Sequence, residues 1–212
     1  VTVHGALYSV YARVACLALA EKGIGYELEP VDIFEPGPAV DAYARLNPFR
    51  KIPTLCHGDL AIYETGAITR YVDEAFDGPS LQPRAPADRA GMNQLIGIVD
   101  SFAYPVLVWQ IYVPHSRRAD DEQAAARSIE AALPVARICL DEFDRLLGDR
   151  AFFGGEAPSL ADLHLAPVFD YVRTVPEAAA LISDYPDLEG WWTRFAARDS
   201  WQAVSRAAPE QN

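Results

Sequence analysis

Two hydrophobic periods alternate along the first 78 residues. Thr2 to His4, entered through Val1 and carrying Val3, reads as a short strand. From Ser9 to Gly23 the apolar residues Val10, Val14, Leu17 and Ala18 recur at three and four, and Gly23 closes the run as a helix cap does. Tyr26 to Ile33 alternates, with Tyr26, Leu28, Val31 and Ile33 set against Glu27, Glu29 and Asp32. The alternation slips at Pro30, which predicts a bulge or an edge strand. Thr54–Cys56 and Leu60–Tyr63 flank His57-Gly58-Asp59, a hairpin turn by composition. Ile68, Tyr71, Val72, Ala75 and Phe76 restore helical spacing. The predicted order is β-α-β, a hairpin, then a helix.

Prolines at 79, 83 and 86 mark a linker, and beyond it no strand pattern appears. Helical spacing covers residues 87–112, 120–147, 160–172 and 188–197, with Pro105 and Pro134 inside it and predicted to kink or break their helices. Ser159-Leu160-Ala161-Asp162, ahead of Leu163, Leu165, Val168 and Phe169, is a capping box that opens a buried helix; its role is structural. The expected organisation is an α/β module over residues 1–78, a linker over 79–87 and an all-helical module over 88–212.

Composition narrows the function more than the fold. Half of the 212 residues are apolar and 23% are charged, which excludes a disordered, collagen-like or disulfide-scaffold protein. Eighteen basic residues meet thirty acidic ones, a formal charge of −12. Residues 1–78 hold six basic and eleven acidic side chains and the remainder twelve and nineteen, so both modules are acidic. With no basic face, binding to nucleic acid or to an anionic membrane is not expected. No run reaches the roughly 18 apolar residues of a membrane span. The most apolar stretch, Ala103–Val113, is interrupted by Gln110. The N-terminus lacks the basic start and long apolar run of a signal peptide. Cys16, Cys56 and Cys139 form no C-x-x-C pair or zinc pattern, so reduced thiols in a cytoplasmic protein are expected. His4, His57, His115 and His164 show no ligand spacing, and no metal is expected.

Two strings carry candidate chemistry. In Asn47-Pro48-Phe49-Arg50-Lys51-Ile52-Pro53-Thr54-Leu55, Pro53 directly precedes a strand, where a missing N–H is tolerated. A cis Ile52–Pro53 bond would turn the Ile52 backbone outward to pair with an extended peptide; a trans bond would merely open the strand. Tyr63-Glu64-Thr65-Gly66-Ala67-Ile68-Thr69-Arg70-Tyr71 starts a helix after a strand. Its first N–H groups attract a carboxylate, while Glu64 is either a receiver for an amino group or a plain dipole partner.

These strings, with SLADLHLAP at 159–167 and YPDLEGWWTRFAARDSWQ at 185–202, resemble the cytosolic glutathione S-transferases over essentially the whole chain. The resemblance is to serine-type, phi- or theta-like members of bacterial style. It implies a thioredoxin-like N-terminal domain followed by an all-helical C-terminal domain, in a cytoplasmic homodimer. It also implies glutathione as co-substrate, with no tightly bound cofactor and no metal. The implied reaction joins the glutathione thiolate to an electrophilic, largely apolar small molecule.

By the same resemblance Ser9 donates a hydrogen bond to the glutathione sulfur, with Tyr8 and Tyr11 as competitors for that role. A free thiol with pKa about 8.5 is mostly protonated at neutral pH, and lowering it by about two units, about 2.7 kcal/mol, makes the thiolate the major form. Ile52, ahead of Pro53, would pair its backbone with the cysteinyl part. Glu64 and Thr65 would hold the γ-glutamyl end, and Lys51 would sit near the glycyl end. Tyr8, Tyr11, Phe34, Phe102, Trp109 and Tyr112 would line the pocket for the second substrate, the last three on one helical face. Arg50 departs from the usual glycine of the family string, and the phi-type basic pair for the glycyl carboxylate falls on Pro38 and Ala39. The glycyl end is then left to Lys51 or Arg50. Two other readings remain open on the same scaffold: a non-catalytic binding protein, and a glutathione-dependent isomerase, dehalogenase or peroxidase.

Overall fold

A computed structural model describes residues 1–35, 37–118 and 120–206. By their contacts these residues divide into two units, Val1–Gln82 joined by the residues after Ala196, and Pro83–Ala196.

In the first unit, β1 (Thr2–Gly5) lies at the centre of a four-stranded sheet of order β2-β1-β3-β4. It pairs parallel with β2 (Glu27–Pro30), Val3 opposite Leu28, and antiparallel with β3 (Thr54–His57), Val3 opposite Leu55. β4 (Leu60–Tyr63) closes the hairpin with β3. Pro30 ends an edge strand, as its missing N–H requires. Residues Val31 to Ile33, expected to extend that strand, lie outside it. α1 (Val10–Glu21) and α3 (Thr65–Ala75) pack together, burying Leu17, Ile68 and Val72 completely. Gly23, at φ 69°, takes the left-handed conformation that ends α1. α2 (Pro38–Tyr43) was not predicted; six residues are too few for a helical period to show.

The second unit is helical among its described residues. α4 (Pro86–Ile98) continues through a π-helical segment (Val99–Tyr112) into α5 (Val113–Ser116). Pro105 therefore does not break the helix: the chain accommodates it inside a stretch of wider turns. By length and composition alone, Pro86–Ser116 is long and apolar enough to cross a membrane. In the fold it is a bundle helix, packed on α6 (Glu122–Leu147) and α7 (Leu160–Val172) with Val99, Ala103 and Ile111 fully buried. Pro134 likewise sits within an uninterrupted α6. α8 (Pro176–Ile182) and α9 (Pro186–Ala196) complete the unit, and Trp191 of α9 lies among Phe153, Phe169 and Phe195.

Two departures from the expected 1–78, 79–87 and 88–212 division have identifiable causes. Lys22, almost fully buried, places its ammonium 3.3 Å from Asp73 and also donates to the Pro79 carbonyl at 3.1 Å. Asp73 in turn accepts from the Leu81 N–H at 2.7 Å and the Gln82 amide at 3.1 Å. The expected linker is thereby fastened to the first unit as far as Gln82. At the other end, α10 (Asp199–Arg206) packs on α1. Arg198 grips Glu21 through Nε at 2.8 Å and Nη2 at 2.7 Å, and the Arg13 guanidinium lies 4.6 Å from the centre of the Trp201 ring. The final stretch of the expected helical module, 207–212, falls outside the described residues.

Candidate active site

Ser9, Pro53 and Glu64 gather at one end of the sheet. β1 ends where β3 begins, with His4 opposite Thr54, and β4 ends opposite the same Thr54. Gly5 makes the approach possible. A Cβ there would lie 3.2 Å from Ala12 Cβ, 3.7 Å from Ile52 Cβ and 3.7 Å from Pro53 Cα. Sequence reading did not single Gly5 out; a glycine ending a strand directly ahead of a helix was the available signal.

Ser9 is the N-cap of α1, with extended backbone at φ −83° and ψ 122°. Its Oγ accepts the Ala12 N–H at 3.3 Å, a long bond for a cap. A hydroxyl that accepts still has its own proton to give. The side chain is half-buried, and among the described residues that proton has no acceptor.

Tyr8 is differently placed. Its hydroxyl donates to Asp32 Oδ1 at 3.2 Å, and its pKa is pushed up to about 12, first by burial and then by the Asp32 charge. Donation to a thiolate would have to compete with that carboxylate. Tyr11, half-buried on the first turn of α1, stays a competitor by position.

The Ile52–Pro53 bond is cis, and both residues are buried. The loop before it is held by two side chains not assigned to the site: Asn47, which opens the quoted motif, and Tyr43, which precedes it. Lys51 O accepts from Tyr43 Oη at 2.7 Å and from Asn47 Nδ2 at 2.8 Å, and Asn47 Oδ1 accepts the Phe49 N–H at 3.0 Å. Burial pushes the Tyr43 phenol up, which keeps it a donor. Arg50 adopts φ 52°, the left-handed region that the family glycine would occupy without strain, and its guanidinium lies 3.1 Å from Asp41 on α2. Of the two expected cations, Arg50 is thus already paired. Lys51 is exposed and has no ion pair among the described residues.

Glu64 precedes α3 at φ 71° and ψ 111°, a strained backbone for any residue with a Cβ. Its side chain makes no capping bond and is exposed, which leaves both the amino-group receiver and the plain dipole partner open. Thr65, the first residue of α3, is buried.

The six apolar candidates divide between the units. Tyr8 and Phe34 touch in the first, ring centres 5.7 Å apart, and Phe34 is 58% exposed. In the second, Phe102 and Trp109 stand exposed on the π-helical segment. Tyr112 is not their equivalent. Its ring stacks on Tyr171 of α7 at 4.1 Å, because π-helical turns shift the spacing at which residues share a face. The cysteines offer no thiolate: burial pushes Cys16 up to about 11 and raises Cys56 and Cys139 as well. His164 is buried with its Nδ1 3.7 Å from Asp100. Among the described residues no group of three or more His, Cys, Asp or Glu side chains is placed to hold a metal.

Comparison with known proteins carries the assignment further. Residues 3–80 match the family "Glutathione S-transferase, N-terminal domain", and residues 97–199 match "Glutathione S-transferase, C-terminal domain". The chain belongs to the glutathione S-transferase family. It is 29% identical to glutathione S-transferase F10 of Arabidopsis thaliana, over 96% of this chain and 95% of that one. It is 30% identical to glutathione S-transferase F13 of the same plant, covering 92% and 89%. Among solved structures it is similar to glutathione S-transferase III in its apo form, with a TM-score of 0.81, 27% identity, and 98% and 96% of the two chains covered. The fold of this family member is therefore the thioredoxin-like N-terminal domain with a helical C-terminal domain. The relatives named above are plant proteins and lend no support to the bacterial style expected from the sequence.

Proposed function

We propose that this member of the glutathione S-transferase family is a serine-type glutathione transferase, joining the glutathione thiolate to electrophilic, largely apolar small molecules. The observation that carries the reading is the Ser9 hydroxyl. It sits at the N-terminus of α1 and accepts one N–H there, with its own proton uncommitted among the described residues. Donated to a sulfur, that proton, helped by the helix dipole, favours thiolate over thiol. In this reading Ile52, ahead of Pro53, offers its backbone to the cysteinyl unit, Glu64 and Thr65 take the γ-glutamyl end, and Lys51 takes the glycyl carboxylate. Tyr8, Tyr11 and Phe34 of the first unit offer apolar surface to the electrophile. The protein acts in the cytoplasm as a homodimer; an exposed apolar ring such as Phe49, at 66%, is the kind of surface a second copy covers.

Ultraviolet difference titration of the thiolate on adding glutathione, in the native protein and in Ser9→Ala, tests the proposal. A thiolate band present in the first and absent in the second supports it. An unchanged band moves the role to Tyr8 or Tyr11. Binding of glutathione without any thiolate band returns the non-catalytic reading, and no binding at millimolar glutathione overturns the proposal.

A further inference from the structure

We propose that Asp32 is the specificity-determining residue on the electrophile side: it fixes Tyr8 and Phe34 as an aromatic shelf beside Ser9 and keeps anionic electrophiles off that shelf. The inference rests on the reading just given, since only a site that takes an electrophile has a specificity to set.

One carboxylate oxygen does both fixing jobs. Asp32 Oδ1 accepts the Tyr8 hydroxyl at 3.2 Å and the Phe34 backbone N–H at 2.9 Å. The first bond crosses from the loop after β2 to the loop before α1, and the second turns the chain just beyond the strand. Together they place the two rings 5.7 Å apart, tilted by 36°. Phe34 is 58% exposed; the bond to Asp32 holds its backbone, and its ring rests against Tyr8. The rings belong to the residue before Ser9 and to the turn bonded to it through Asp32, so an apolar surface lies at the same loop as the proposed thiolate donor. Planar aromatic electrophiles match that surface.

The same carboxylate supplies the charge. From Gly23 to Ala44 the chain has no Lys, Arg or His, while it carries Glu27, Glu29, Asp32, Glu35 and Asp41. Of these, Asp41 is neutralised by Arg50 and Glu29 faces His4 at 3.1 Å. Among the described residues Asp32 has only neutral donors, the phenol and the amide. An electrophile bearing a carboxylate would lie beside an uncompensated negative charge, whereas a neutral or cationic one would not. The raised pKa of Tyr8 agrees with a phenol held neutral against that charge.

The test uses unreactive probes without glutathione, so that it does not depend on the Ser9 chemistry: methyl dinitrobenzoate, which is neutral, and the dinitrobenzoate anion. Equilibrium dialysis of the native protein should favour the ester by about tenfold, a preference that shrinks as salt is added. Asp32→Asn keeps acceptors for both bonds but drops the charge, and should narrow the preference to about threefold or less at unchanged ester affinity. Asp32→Ala drops the bonds as well and should weaken the ester itself. Ultraviolet titration, with the Tyr8 signal identified by its loss in Tyr8→Phe, should show that phenol titrating at lower pH in Asp32→Asn. Binding of neither probe, or an ester preference that survives Asp32→Asn, overturns the proposal. The chloro-substituted analogues, conjugated with glutathione present, separate the two readings. If Ser9 is not the thiolate donor, their conjugation is unaffected by Ser9→Ala, while the binding ratios above still stand or fall with Asp32.

Discussion

Ser9 and Ser159 occupy the same place in two helices, each the N-cap ahead of a buried apolar run, and the structure uses them in opposite ways. Ser159 is 2% exposed and its hydroxyl donates to Asp162 Oδ2 at 3.0 Å, while its own N–H reaches the same oxygen at 2.7 Å. Asp162 also gathers the Phe153 N–H at 2.9 Å, the Gly154 N–H at 3.2 Å and the Trp191 indole at 2.9 Å. That helix start is closed: the Ser159 hydroxyl and these four N–H donors all end on one carboxylate of the chain. Ser9 has Ala12 where Ser159 has Asp162, accepts one long bond, and keeps its proton. The third helical residue makes the difference, and packing dictates it. Ala12 is fully buried with its Cβ against the bare Cα face of Gly5, so no carboxylate fits there. A closed start consumes its hydrogen bonds in the fold, and an open one leaves them for a ligand.

The largest effect expected of any single change is at the closed start. Asp162→Ala strands four N–H donors, three of them buried, and the Ser159 hydroxyl; each buried one costs about 1–3 kcal/mol if unpaired, so a net loss of about 4 kcal/mol or more is expected after relaxation. Urea unfolding measures it where the variant can be isolated. Asp162→Asn, which keeps the shape and one acceptor oxygen, should lose less. Stability equal to the native protein in both variants would mean that the start is not closed.

Exchanging the two serines for alanine separates the roles. Ser9→Ala is expected to cost at most about 1 kcal/mol of stability, because the bond it removes is long and half-exposed, yet to lower kcat/KM by about 10- to 100-fold through loss of a hydrogen bond to a charged sulfur. Ser159→Ala should do the reverse, losing about 1–2 kcal/mol in unfolding while leaving kcat/KM per folded molecule unchanged. Urea curves and conjugation rates on the same samples read both. A common pattern in the two variants would erase the distinction.

The sequence makes this contrast partly visible. Ser159-x-x-Asp162 is a capping box on inspection, and the alternating periods give the β-α-β-hairpin-α order with most strand limits within a residue or two. What it hides is non-local or short. Helices α2, α8 and α10 span six to eight residues, fewer than the roughly eleven or more over which a period declares itself. The attachment of α10 to the first unit depends on Glu21 meeting Arg198, 177 positions away. Pro105 reads as a breaker because local rules assume an α-helical turn, and the π-helical segment changes that assumption. At the site, Ser9, Lys51, Ile52, Pro53, Glu64 and Thr65 came from motifs. The Arg50–Asp41 pair and the Tyr8–Asp32 bond join residues whose spacing has no pattern to read.

Glu64 extends the contrast to a third helix start, and there the change is expected to be smallest in stability and opposite in sign. α3 is also open, with no side-chain bond capping it, and its N-cap, Glu64, is strained at φ 71° and ψ 111°. A strained residue of this kind costs about 1–3 kcal/mol, and a glycine there relieves the strain while adding up to about 1 kcal/mol of chain entropy to the unfolded state. Glu64→Gly should therefore raise stability by about 1 kcal/mol in urea unfolding. If the carboxylate receives the γ-glutamyl amino group, the same variant should weaken glutathione binding by about tenfold or more, measured by calorimetry. Gain in one and loss in the other would mark the strain as kept for the ligand. A glycine variant that is more stable and binds glutathione as tightly would leave the strained backbone without a function and remove Glu64 from the site.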